Sequence, residues 1–311
     1  MKRLLVVLVL LAIAGLVVFF IVTSPSIMQS AGTEPIPAGE PNIANGKIVF
    51  TAGGCESCHA IPKQPDKTRL GGGLGLGSPF GTFYTPNISP HPRDGIGSWT
   101  PQQFLRAMRA GVSPEGYHYF PAFPYPAYQR LAAADVRDLF GYLKTLPPVE
   151  GKARGHDVPF PFNVRRSLGG WKVLFLDGKQ FTPDPSKSAS WNRGAYLAEG
   201  MAHCAECHSP RNFMGGIASG MRYAGGPDPE GKGTIPNITS DKETGIGNYT
   251  KADMVELLTT GFKPDFDAVG STMGEVVLNT KQLSQADREA IAEYILSLPP
   301  IRNEVRKKKK S

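Results

Sequence analysis

The chain repeats itself. "TPNIS" at 85–89 is answered by "IPNIT" at 235–239, and "DGIGSWT" at 94–100 by "TGIGNYT" at 244–250, both at an offset of 150 residues. Gly111 answers Gly261 at the same offset, and "YLKTLPPV" answers "YILSLPPI" at 152. Self-similarity of this kind means one unit used twice. Residues 44–150 and 192–301 are each about the size of a small single-core domain. Each unit opens on the same grammar, "GGCESCHA" at 53–60 and "AHCAECHSP" at 202–210, and these hold the only four cysteines among 311 residues.

Three residues is close to one 3.6-residue helical turn, so Cys55 and Cys58 project to nearly the same side, with His59 about 100° away from Cys58. Two thiols can then bond to two vinyl groups on one porphyrin edge while the imidazole reaches the iron. Cys-x-x-Cys-His is the c-type haem attachment signature for that reason. Cys204, Cys207 and His208 repeat it, and two covalently bound haem c groups are expected. Three rivals are weaker. A thioredoxin-like pair belongs near a βαβ pattern, and none is visible. A structural zinc site closes with four ligands, and each motif offers three. Structural disulfides leave the adjacent histidine unexplained in both copies.

Each unit reads as helical, and the fold class is all-α: two tandem domains behind an N-terminal transmembrane helix. Thr100 caps a helix with Pro101 at its first position and Phe104, Leu105 and Met108 on one stripe, ending at Gly111. Its partner runs from Thr250, with Asp253 completing a capping box, to Gly261. The closing helices carry Val136, Leu139, Phe140 and Leu143, and then Ile291, Tyr294, Ile295 and Leu298, each halted by Pro-Pro. Asn45 and Asn192 are the candidate caps of the helices that lead into the cysteine motifs. Gly and Pro are dense between helices, with little strand signal. The PNI and GIG loops either approach a flat ring closely or serve ordinary turn chemistry.

Residues 1–23 read as a membrane anchor. After Met1-Lys2-Arg3 come nineteen apolar or small residues, Leu4 to Val22, a length that suits a bilayer-spanning helix and exceeds the usual signal-peptide apolar region. Ser24-Pro25-Ser26 is the weak cleavage candidate that would make it a removed signal instead. The charged N-terminus belongs on the cytoplasmic side, which puts the rest in the periplasm of a bacterial inner membrane. Net charge is +7, of which Lys2 and Arg3 supply +2 and residues 302–310, six basic side chains less Glu304, supply +5. The body is neutral, and no nucleic-acid partner is expected. The basic tail, 302–311, reads as a solvated end or as a weak attraction to anionic lipid. Residues 24–43 look like a flexible tether. The connection 151–191 contains the apolar "SLGGWKVLFLDGKQF", which either packs across both units or leaves Trp171 and Phe175 as a docking patch for a partner or the membrane interface.

"SPFGTFYTPNISP", "GVSPEGYHYFPAFPYPAY", "VPFPFNVRRSLGGWKVLFL", "WNRGAYLAEGMAHCAECHSPRN" and "STMGEVV" occur in this order. Over roughly residues 44–300 the chain resembles the cytochrome c subunits of bacterial membrane-bound dehydrogenases, of the alcohol and gluconate type, and related dihaem cytochromes. The resemblance implies cytochrome c domains that carry electrons from a dehydrogenase towards quinone, an oxidase or another cytochrome of the respiratory chain. Two departures stand out. Those subunits usually carry three haems, and this chain has two motifs. Their first-domain "PAM" segment, with its axial methionine, is "PAF" here, with Phe123. The repeat points to the same asymmetry: Met273 lies twelve residues after Gly261, and Phe123 lies twelve after Gly111. Met273 is therefore the candidate sixth ligand of the second iron. For the first, His118 is the leading candidate, followed by an open or water-bound iron and Met108; His91, in a Pro-flanked turn, is a poor one. An electron-transfer subunit is the first functional reading. The alternative is a peroxidase-like dihaem oxidoreductase with its substrate at the first haem.

Overall fold

The computed structural model describes residues 1–25, 34–231, 233–270 and 272–305. Most of the basic tail and residues 26–33 of the proposed tether lie outside the described residues. Helix α1, Lys2–Val22, buries none of its residues. It is long and apolar enough to cross a membrane, by length and composition. The first half contains α2 (Ile43–Ala52), α3 (Cys55–His59), α4 (Pro101–Ala110), α5 (Tyr125–Tyr128) and α6 (Ala133–Thr145). Helix α7 (Ser167–Phe175) lies in the connection. The second half contains α8 (Ala189–Tyr196), continued by a π-helical turn Leu197–Met201, then α9 (Cys204–Cys207), α10 (Lys251–Thr260), α11 (Thr272–Thr280) and α12 (Gln285–Leu296).

Capping chemistry sets the matching ends of α4 and α10. Thr100 and Gln103 form one capping box and Thr250 and Asp253 the other, and both helices stop at a left-handed glycine, Gly111 and Gly261. The caps of α2 and α8 are not those expected. Asn42 accepts from Asn45 N, and Ser188 accepts from Trp191 N. Asn45 and Asn192 sit inside the first turn and spend their amides elsewhere: Asn45 donates to Asp135 and Asp138, and Asn192 to the Asp184 carbonyl.

The cysteine-bearing ends are held by two equivalent helix crossings, α2 on α6 and α8 on α12. Each depends on a glycine. A β-carbon on Gly46 would lie 2.1 Å from the Asp138 carbonyl oxygen, and one on Gly194 would lie 1.8 Å from that of Ala290. Buried residues of both halves, among them Val49, Leu105, Leu139, Leu197, Met201 and Ile295, form one continuous hydrophobic cluster.

Two short hairpins depart from the weak strand signal. Strands β1 (Gly75–Ser78) and β2 (Gly81–Tyr84) pair antiparallel with Leu76 opposite Phe83, and β3 (Gly226–Pro227) pairs with β4 (Thr234–Ile235). Strand β2 is secured from its other side, where Thr82 and Asp157 exchange backbone hydrogen bonds of 2.9 Å. Tertiary pairing, not propensity, makes these strands.

The described part of the 24–43 segment is largely exposed but touches the body at several points. Arg137 donates to the carbonyls of Pro37 and Ala38, Glu34 pairs with Arg109, and Pro41 rests on Gly141. The connection touches both halves: Lys172 reaches the end of α4, and the Trp171 indole donates to Met214 O.

Candidate functional site

The two Cys-x-x-Cys-His segments are each one short helical turn, entered through a left-handed residue: Gly54, at φ 59°, before α3, and His203, at φ 41°, before α9. The turn brings Cys55 and Cys58, and likewise Cys204 and Cys207, to one side, as the spacing requires. Desolvation by the surrounding chain pushes the Cys55 and Cys204 thiols up to about 12 and Cys207 up to about 11, and raises Cys58 as well, although Cys207 is exposed at the surface and the other three are half-buried.

Each histidine is oriented in the same way. His59 Nδ1 lies 2.9 Å from Pro86 O and His208 Nδ1 lies 2.9 Å from Pro236 O. A carbonyl only accepts, so Nδ1 carries the proton and Nε2 keeps its lone pair for a metal. Burial lowers both imidazoles below the usual histidine range, against the pull of those carbonyls, which keeps them neutral. Two thiols beside one neutral, oriented imidazole are the donor set that haem c takes, and the residues present fit it twice.

The PNI loops supply those carbonyls, a role their spacing left open. Asn87 Nδ2 donates to Val149 O and Gly151 O, while its Oδ1 accepts from Ser89 N. Asn237 likewise donates to Ile301 O and accepts from Thr239 N. Each asparagine ties its proline loop to the chain beyond the closing helix. The GIG glycines serve loop closure: a β-carbon on Gly95 or Gly245 would lie 2.1 or 2.4 Å from the carbonyl of Ser89 or Thr239.

The motifs touch one another. His203 Nε2 is 3.3 Å from Gly53 O, its ring packs edge-on against Tyr128, and Asn279 of α11 donates to Ser57 Oγ at 2.8 Å. They also differ. Phe50 of the first half corresponds to Glu199 of the second. Glu199 accepts from the hydroxyls of Tyr223 and Tyr294 at 2.7 and 2.6 Å and pairs with Arg222. Burial pushes this carboxyl up, but Arg222 and the two hydroxyls outweigh it and hold it low.

The repeat register persists to Phe123 and Met273, the latter the candidate sixth ligand. Tyr119 N donates to Gly111 O and Val269 N to Gly261 O, four residues before Phe123 and Met273 respectively. Met273 is half-buried at the start of α11. Phe123 packs among the rings of Tyr119, Tyr125 and Tyr128. Met108 lines a small cavity with Cys55 and Tyr128, but its repeat counterpart is Leu258, also buried, which marks a core position.

The His118 imidazole, the leading candidate for the first iron, is engaged at the end of α1 and at α7. Its Nε2 lies 3.0 Å from Thr23 O at the end of α1, and its Nδ1 lies 3.1 Å from Lys172 Nζ. Both ring nitrogens are engaged where α1 meets the body, 1 % exposed. Burial, then the Lys172 charge, pushes His118 down to about 4. His91 bonds locally, with Nδ1 accepting from Asp94 N.

Residues 43–147 match the cytochrome c family model. The chain is 46% identical over 260 residues to a "diheme cytochrome c-type" protein of Cereibacter sphaeroides, covering 83% of this chain and 86% of that one. It is 38% identical over 277 residues to the fructose dehydrogenase cytochrome subunit of Gluconobacter japonicus, covering 88% of this chain and 56% of that one. It is also 35% identical over 275 residues to the cytochrome c subunit of the quinone-type alcohol dehydrogenase of Gluconobacter oxydans, covering 85% of this chain and 56% of that one. The chain thus spans most of the first of these relatives and little more than half the length of the other two. With a relative matched across nearly its whole length and a donor set that fits the group twice, the chain belongs to the cytochrome c family and carries covalently bound haem c.

Proposed function

We propose that the chain is a membrane-anchored dihaem electron carrier that accepts electrons from a periplasmic or membrane-bound dehydrogenase. It passes them to the respiratory chain, to quinone, an oxidase or another cytochrome. Two tandem cytochrome c domains, 44–150 and 192–301, hold one haem each, through Cys55 and Cys58 and through Cys204 and Cys207. The His59 and His208 Nε2 atoms are the proximal ligands, and the Met273 thioether is the sixth ligand of the second iron. Helix α1 anchors the protein in the bacterial inner membrane, with both domains on the periplasmic side.

The observation that carries this reading is the repeated set of two thiols and a carbonyl-oriented imidazole, with the two sets in contact through His203 and Gly53. Haem c, when bound, supplies a one-electron iron couple. The protein's own part is to hold each imidazole in one tautomer, to bury the site and to keep the two sites adjacent. Dehydrogenase relatives support the choice of donor. The packing of Phe123 among the rings of Tyr119, Tyr125 and Tyr128, with no histidine or carboxylate among these ring contacts, supports a carrier over a peroxidase.

The test is purification of the tagged full chain from native membranes in mild detergent. A dehydrogenase subunit should copurify, and that enzyme's substrate should reduce the bound haem. Peroxide turnover by the isolated chain, with no dehydrogenase copurifying, would refute the proposal.

A further inference from the structure

Helix α7 has two faces. Leu168, Trp171 and Lys172 are buried against the body, with Trp171 Nε1 3.0 Å from Met214 O and Lys172 Nζ 2.6 Å from Ala110 O. The other face carries Arg166, just before the helix, then Gly170, Val173 and Leu174, spaced three and four apart. Val173 and Leu174 are 51% and 63% exposed. An apolar pair on the outer face of a nine-residue helix has no role in haem attachment.

The end of α1 shows which way that face looks. Arg166 donates to Phe20 O and its guanidinium lies 5.2 Å from the Phe20 ring centroid. A β-carbon on Gly170 would lie 3.6 Å from the Phe19 ring, and one on Gly169 would lie 2.6 Å from Thr23 Cβ. Phe19 and Phe20 belong to the last turn of α1, whose 21 residues extend about 31 Å at 1.5 Å per residue, close to a hydrocarbon core of about 30 Å. Groups that touch them are at headgroup depth, and Val173 and Leu174 continue the face that makes this contact. His118, through its bond to Thr23 O, and Arg165, through its bond to His118 O, lock the junction from behind.

We propose that the outer face of α7 lies in the lipid headgroup layer beside the anchor, with Val173 and Leu174 inserted among acyl chains and Arg166 at the phosphates. The inference rests on the reading of α1 as a membrane anchor. It makes the connection a second membrane contact that fixes the orientation of the haem domains to the bilayer.

The holoprotein offers a clean probe, because its four native cysteines are tied to haem. The full chain is reconstituted in phosphatidylcholine–phosphatidylglycerol vesicles, with a nitroxide placed by Val173→Cys or Leu174→Cys. Leu10→Cys in α1 and Glu256→Cys on α10 provide the lipid and water references. Collision with oxygen relative to a water-soluble nickel chelate should be several-fold higher at 173 and 174 than at 256, approaching the value at 10. If 10 reads lipid while 173 and 174 match 256, the α7 contact is refuted and the anchor stands. If 10 itself reads water, the anchor reading falls and this inference with it.

Discussion

The proton on Nδ1 of His59 goes to Pro86 O, and that carbonyl is held in place by an asparagine whose amide bridges to Val149 O and Gly151 O. Asn87→Ala removes these bonds from a buried loop and should cost about 2–3 kcal/mol, measured by denaturant unfolding of the holoprotein. It should also shift the first haem's potential, because the imidazole loses its fixed acceptor. His118 makes a contrasting prediction. Since both of its nitrogens are engaged at Thr23 and Lys172, His118→Gln should leave the spin state of both haems unchanged. A low-spin to high-spin conversion of one haem would restore it as a ligand. The same residue titrates. Its folded value of about 4 lies below the ordinary 6.5, so the folded state binds fewer protons than the unfolded state between those values. Its contribution is complete above pH 6.5 and is lost as pH falls towards 4. Melting temperature should therefore fall more over that window in the native protein than in His118→Gln. The attachment residues were legible because their types and spacing are the chemistry. The fate of His118 was not, because it depends on Thr23, 95 residues away in sequence, and on Lys172.

At the scale of elements, the ends of α4 and α10 could be read directly, since Thr at the cap and Gly at the stop act within one turn. The starts of α2 and α8 could not be settled that way. Asn42 and Asn45, or Ser188 and Asn192, all satisfy cap chemistry; the α2–α6 crossing draws Asn45 to Asp135 and Asp138, and the loop before α8 takes up the Asn192 amide at the Asp184 carbonyl. The hairpins were illegible for a related reason: glycine-rich strands carry no alternating pattern, and β2 leans on Asp157. The crossings themselves give a sharp expectation. Gly46→Ala and Gly194→Ala place a methyl group against a backbone carbonyl, which cannot swing away as a side chain would. Each helix pair must spread, at a cost of about 3 kcal/mol, and the cysteine motif at its end moves with it. Thermal melts should show the loss, and haem content per chain should drop for the affected motif.

For the whole molecule, duplication was visible in the sequence, and so was the asymmetry at Phe123 and Met273. The contact between the motifs was not, since Gly53 and His203 come together only when the halves share one hydrophobic cluster. Denatured holoprotein from a host able to mature c-type cytochromes should carry the mass of two haems. One would contradict the repeat reading. Thioether sulfur favours ferrous iron, so the second haem should hold the higher potential and the first should lie nearer the donor in electron flow. Potentiometric titration of the full chain beside its Met273→Ala variant tests this most directly. Two separate one-electron steps are expected, with the higher step alone moving down in the variant and the methionine-ligated absorption band disappearing with it. A single step in the native chain, or two steps that the substitution leaves in place, would contradict it.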